Sequence, residues 1–91
     1  MLYMVVERFQ NGAGPVYERA RDRGRVLPPG LRYVDSWIDA QNLDRCFQLM
    51  ETDDATRFEA WMAEWSDLAD FEIIPVIGST EAAERALDES R

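Results

Sequence analysis

Six side chains in this 91-residue sequence have types and spacings suited to chemistry on a small molecule: Glu7, Tyr33, Ser36, Trp37, Cys46 and Gln48. Glu7 interrupts the apolar run Leu2-Tyr3-Met4-Val5-Val6, where an ionised carboxylate needs a partner or, if desolvated, acts as a base with a raised pKa. Arg8 lies on the opposite face by period-two alternation, so Arg32 is the expected partner. A structural ion pair, or exposure at the strand end, outweighs catalysis for such a group. Cys46 is a candidate nucleophile or redox thiol, but a lone cysteine in an apolar strand usually packs as a small hydrophobe. Gln48 on the same strand, with Tyr33, Ser36 and Trp37 on the facing one, could supply a few polar groups among apolar walls, as in a ligand pocket. The plainer account makes them satisfied structural polar residues.

What is missing narrows the chemistry. There is no histidine and every cation is arginine, so zinc hydrolysis, histidine-ligated haem, a Ser-His-Asp triad and lysine Schiff-base chemistry are excluded within one chain. No metal site and no cofactor are expected. One cysteine allows no intrachain disulfide, and the short run Leu2 to Val6, followed by Glu7 and Arg8, cannot serve as a signal core or a membrane span. The cytoplasm is the expected compartment. The net charge of -8 disfavours nucleic acid and anionic membranes as partners. Residues 1–45 hold seven arginines against six acidic residues, and residues 46–91 hold three against twelve. The run Arg19, Arg21, Arg23, Arg25 therefore reads as a solvated face complementing the acidic second half, in preference to an anion site. Phe58, Trp61, Met62 and Trp65 read as core in preference to an aromatic cage.

The elements that must position these residues follow from pattern. Residues 2–9 are β-branched and aromatic and close on Asn11, Gly12 and Gly14, which predicts a strand. Gly14 as N-cap, Pro15 at the first helical position and Gly24 at the end predict a helix over 15–24. Residues 31–40 and 45–52 flank the polar link 41–44 as a hairpin. Asp53-Asp54 then caps a helix whose apolar residues Phe58, Trp61, Met62 and Trp65 recur at i, i+3, i+4 and i+7. Residues 71–77 form a last strand, placed at a sheet edge by Pro75. An Ala- and Glu-rich helix over 79–90 ends the chain.

The order βαββαβ in one domain, residues 1–91, predicts an α+β, ferredoxin-like fold with a four-stranded antiparallel sheet, both core helices on one face, and a short C-terminal helix. Tyr33, Val34, Trp37, Ile38, Phe47, Leu49 and Met50 fall on both parities of the hairpin, so the second face also needs a cover. A homodimer is the simplest way to supply it.

The chain resembles the bacterial family called domain of unknown function 3303, whose proteins have a dimeric α/β-barrel type of fold. The resemblance spans residues 1 to about 85. It rests on Met1-Leu2-Tyr3-Met4-Val5-Val6-Glu7-Arg8-Phe9, Gly30-Leu31-Arg32-Tyr33-Val34, Ser36-Trp37, Arg45-Cys46-Phe47-Gln48-Leu49-Met50-Glu51-Thr52-Asp53, Trp61-Met62, Trp65-Ser66-Asp67-Leu68 and Phe71-Glu72. It imports no catalytic motif. Related dimeric barrels of other families host cofactor-independent monooxygenases, isomerases and haem enzymes, which is analogy of fold only. Two functions stay open: a domain that binds a small organic ligand, or acts as a cofactor-independent monooxygenase or isomerase, through some of Glu7, Tyr33, Ser36, Trp37, Cys46 and Gln48; and a non-enzymatic dimeric interaction or structural module.

Overall fold

A computed structural model describes residues 1–89. The chain runs β1 (Leu2–Phe9), α1 (Ala13–Arg23), β2 (Arg32–Ile38), β3 (Arg45–Glu51), α2 (Arg57–Ala63), β4 (Ala69–Val76) and α3 (Ser79–Glu89). The sheet order is β2-β3-β1-β4 with every neighbouring pair antiparallel. This is the ferredoxin-like α+β arrangement with an added C-terminal helix. Pro75 sits on an edge strand, where its missing N–H breaks no second ladder. No helix of the described residues is long and apolar enough to cross a membrane.

One face of the sheet carries the core. Val5 and Met50 are fully buried, and Phe58, Trp61 and Trp65 pack on them together with Leu31. The rings meet edge to face, Phe71 on Trp61 at 5.3 Å and Tyr3 on Phe58 at 5.2 Å, the geometry that ring quadrupoles prefer. Both α1, through Val16 and Ala20, and α2 cover this face. The covers are unequal. α2 buries Phe58 and Trp61, whereas α1 has no buried residue, because its apolar side is built from small or half-exposed groups. Arginines bind α1 in place from outside. Arg19 forms a two-pronged pair with Asp67 at 2.7 Å on each oxygen and also donates to the Glu64 carbonyl, while Arg23 reaches the Glu64 carboxylate at 3.0 Å. Arg19 and Arg23 thus complement acidic groups of the second half of the chain, whereas Arg21 pairs with its neighbour Asp22 and Arg25 turns to Gln48, so the run is not one solvated face.

Two local expectations are corrected. Helix α1 starts at Ala13 behind Gly12, whose φ of 78° and ψ of -179° suit glycine alone, so Pro15 lies inside the first turn. Proline is tolerated there because first-turn N–H groups lack intrahelical partners. Asp53 and Asp54 do not cap α2. Asp54 instead accepts from the Thr56 backbone at 3.0 Å and its hydroxyl at 2.6 Å, closing a turn that delays the helix to Arg57. Trp65 keeps its place on the apolar stripe through i→i+3 bonding beyond the helix end, its N–H donating to the Met62 carbonyl at 3.0 Å.

Candidate functional site

Because α1 presents the small or half-exposed Ala13, Val16, Tyr17 and Ala20 to the sheet, a cavity of about 520 Å³ remains beneath it. Its floor is the helix-facing side of β1 and β3. Glu7 and Cys46 are cross-strand partners there, and Gln48 is one pleat along from Cys46. Phe9, Trp61 and Trp65 supply apolar walls, and Arg25 stands where α1 ends.

Glu7 is only 4% exposed. Its Oε2 accepts a hydrogen bond of 2.8 Å from Gln48 Nε2, and Gln48 Oε1 accepts one of 3.0 Å from Arg25 Nη1. Burial pushes the Glu7 carboxyl above its ordinary 4.5, against the opposing pull of the Gln48 and Cys46 hydrogen bonds and the Arg25 charge. The Cys46 thiol, buried and facing that carboxyl, is pushed up to about 12. It is a proton donor at neutral pH and not a thiolate nucleophile. Tyr17, at the edge, is also moved upward, by burial first and then by Cys46 and Glu7.

The expected Glu7 to Arg32 pair does not form. Arg32 lies on the opposite face and pairs with Glu51. The six expected residues divide. Glu7, Ser36, Cys46 and Gln48 line the cavity. Tyr33 stands behind it, bonded to Ser36 through hydroxyls 2.8 Å apart, with the Arg25 guanidinium carbon over its ring 3.5 Å from the centroid. Trp37 is 52% exposed on the other face of the sheet. The cause is a bulge between Tyr33 and Asp35. Strict alternation would put Tyr33 with Trp37 and against Ser36, but the extra residue, Val34, reverses the relation.

The family model described as a domain of unknown function (DUF3303) matches residues 1–89. The chain belongs to this family. No curated protein and no solved structure matches it. For this DUF3303 chain the site therefore rests on its own geometry.

Sequence reasoning missed Tyr17 and Phe9 as site residues, and it weighed Arg25 as part of an anion-binding run but assigned it to a solvated face, which its place in the cavity lining corrects. Arg25 carried one available signal, its place one residue past the helix-stopping Gly24. Its role in the site depends on side chains distant in sequence. The indole N–H groups of Trp61 and Trp65 both donate to its backbone carbonyl at 3.1 Å. That clamp holds Arg25 between Gly24 at φ 70° and Val26 at φ 57°, a positive value that a β-branched residue rarely adopts.

Proposed function

We propose that this domain binds a small organic ligand in the cavity under α1 and exchanges a proton with it through Glu7. The observation that carries the reading is a nearly fully buried carboxyl on the floor of an open, mainly apolar cavity, held by the neutral donors Gln48 and Cys46 and raised in pKa by burial. Such a group can take a proton from a carbon next to a carbonyl. In a β,γ-unsaturated carbonyl compound the C–H electron pair passes through the new C=C bond to the carbonyl oxygen, giving a dienolate, and return of the proton to the γ-carbon shifts the double bond into conjugation, an isomerisation with no oxidant. An electron-rich enolate of the same kind adds dioxygen at carbon to give a peroxide, and loss of water from that CH–OOH group leaves one oxygen on the ligand as a new carbonyl, a cofactor-independent monooxygenation in which the ligand itself is the reductant. Cys46, Gln48 and Ser36 orient the ligand, and Tyr33 holds Ser36. A lone buried thiol suits a reducing compartment, the cytoplasm.

A homodimer belongs to the same proposal. The uncovered sheet face carries Leu2, Met4, Val6, Phe47, Leu49 and Trp37 as one apolar field, with Arg32, Glu51, Arg45 and Asp39 at its margins. A hydrophobic centre with a charged rim is the anatomy of a protein interface. The protomer is also extended, with a radius of gyration of 15.1 Å against about 12 Å expected for a compact chain of this length. The same face supports the second reading, a non-enzymatic dimeric interaction or structural module.

A thermal-shift panel of small planar organic compounds separates them. A ligand at 100 times its Kd stabilises by about 2.7 kcal/mol. The ligand reading expects such a shift, and expects it to vanish in Ala20→Leu, which fills the cavity without disturbing helix propensity. A panel with no shift, or an identical shift in Ala20→Leu, overturns it in favour of the module.

A further inference from the structure

We infer that the cavity selects a planar organic monoanion, an aromatic or enolic carboxylate, whose carboxylate group docks on Arg25 at the mouth while its ring enters between Phe9, Trp61 and Trp65. This rests on the cavity being a ligand site.

The charge pattern is the starting point. Among the described residues, seven arginines form ion pairs with carboxylates, and Arg8 and Arg25 do not. In a chain of net charge -8, acidic groups are abundant, so an unpaired guanidinium at the mouth of an apolar cavity stands out. Arg25 is also held firmly, unlike an ordinary surface arginine. Its carbonyl is clamped by two indoles, its backbone is flanked by two residues at positive φ, its guanidinium lies 3.5 Å over the Tyr33 ring, and Nη1 is fixed on Gln48.

Stacking on a ring uses the face of the guanidinium and leaves its in-plane N–H groups for other acceptors. Among the described residues, one of the five donors has a protein acceptor, Gln48 Oε1. The remaining edge matches the two oxygens of a carboxylate, a pairing that adds both energy and orientation. A single positive charge, with the Glu7 carboxyl already within its field, matches a monoanion better than a phosphate dianion. The volume of about 520 Å³ lies within the range of small-molecule sites. Gln48 joins the two ends of the site, touching Arg25 with its oxygen and Glu7 with its nitrogen. A ligand anchored on Arg25 therefore presents its other end toward the buried carboxyl.

The test uses 1-naphthoate and its neutral counterpart 1-naphthamide, each titrated into the whole protein and into Arg25→Gln, with tryptophan fluorescence and calorimetry as readouts. The wild type is expected to bind the naphthoate roughly tenfold or more tighter than the naphthamide, the range of a charge-assisted hydrogen-bonded pair. In Arg25→Gln that preference should disappear, with naphthoate affinity falling by more than naphthamide affinity, read as the ratio of the two. Equal binding of the two compounds by the wild type overturns the anion assignment and leaves the cavity reading standing. An undiminished preference in Arg25→Gln overturns the role of Arg25. Binding of neither compound overturns this inference, and a silent thermal-shift panel beside it overturns the cavity reading as well. If Arg25→Gln fails to fold, the wild-type ratio decides alone.

Discussion

Glu7 has a measurable consequence for the folded state that is independent of any ligand. Because burial raises its pKa above 4.5, both folded and unfolded chains carry the proton below that value, while above it the unfolded chain releases the proton more readily. The folded state therefore loses stability as pH rises from about 4.5 through the folded pKa. Acidification from neutral pH toward about 4.5 should raise the Tm of the wild type relative to Glu7→Gln. The lowered pKa values of Asp67, paired with Arg19, and of Asp54, bonded to Thr56, act in the opposite sense, but only below about 3.8. A Tm difference between the two proteins that does not change with pH contradicts the assignment. Cys46 belongs to the same pair. With its pKa pushed up to about 12 and its side chain buried, it should react slowly with a thiol reagent when folded and rapidly once unfolded. Rapid stoichiometric labelling of the native protein would contradict that. Packing of Cys46 was legible from its single occurrence in an apolar strand, whereas its contact with Glu7 was not, since the two lie on different strands and meet only through the register of β1 with β3.

At the scale of elements, strands and the second helix were legible because their periodicity is strong. β1 spans 2–9 as its composition dictates, β4 takes the edge that Pro75 demands, and the stripe Phe58, Trp61, Met62, Trp65 faces the sheet. Two features were not legible because nothing local announces them. The bulge at Val34 leaves no mark in a run of strand-forming residues, yet it decides that Ser36 and not Trp37 reaches the cavity. The indole clamp on the Arg25 carbonyl joins residues 36 and 40 positions apart. Trp61 serves both core and clamp, so Trp61→Ala should lower stability by about 3–5 kcal/mol in a urea titration. An unchanged midpoint would contradict its burial at 2% exposure.

At the scale of the molecule, the two faces of the sheet have separate tasks. One face is covered by α1 and α2 and holds the cavity, while the other presents an apolar field that the protomer leaves open. The proposed dimer closes that second face by sheet-to-sheet packing, with the sheets about 10 Å apart. Trp37 is the residue to test, because at 52% exposure it adds little to the protomer core. Light scattering should give a dimer for the wild type and a monomer of nearly unchanged fold for Trp37→Glu, and added salt should not dissociate the wild type. A monomer mass for the wild type across micromolar concentrations contradicts the dimer. Loss of the dimer without loss of ligand-induced stabilisation would show that the two faces work independently.

The central claim, that a desolvated Glu7 faces a ligand cavity, is tested most directly by following the Glu7 side-chain carboxyl carbon by NMR through a pH titration, with and without a saturating planar carboxylate. The account predicts a midpoint above the ordinary 4.5 in the free protein and a further change in position and midpoint when the cavity fills. A midpoint at or below 4.5, unmoved by the compound, would contradict it.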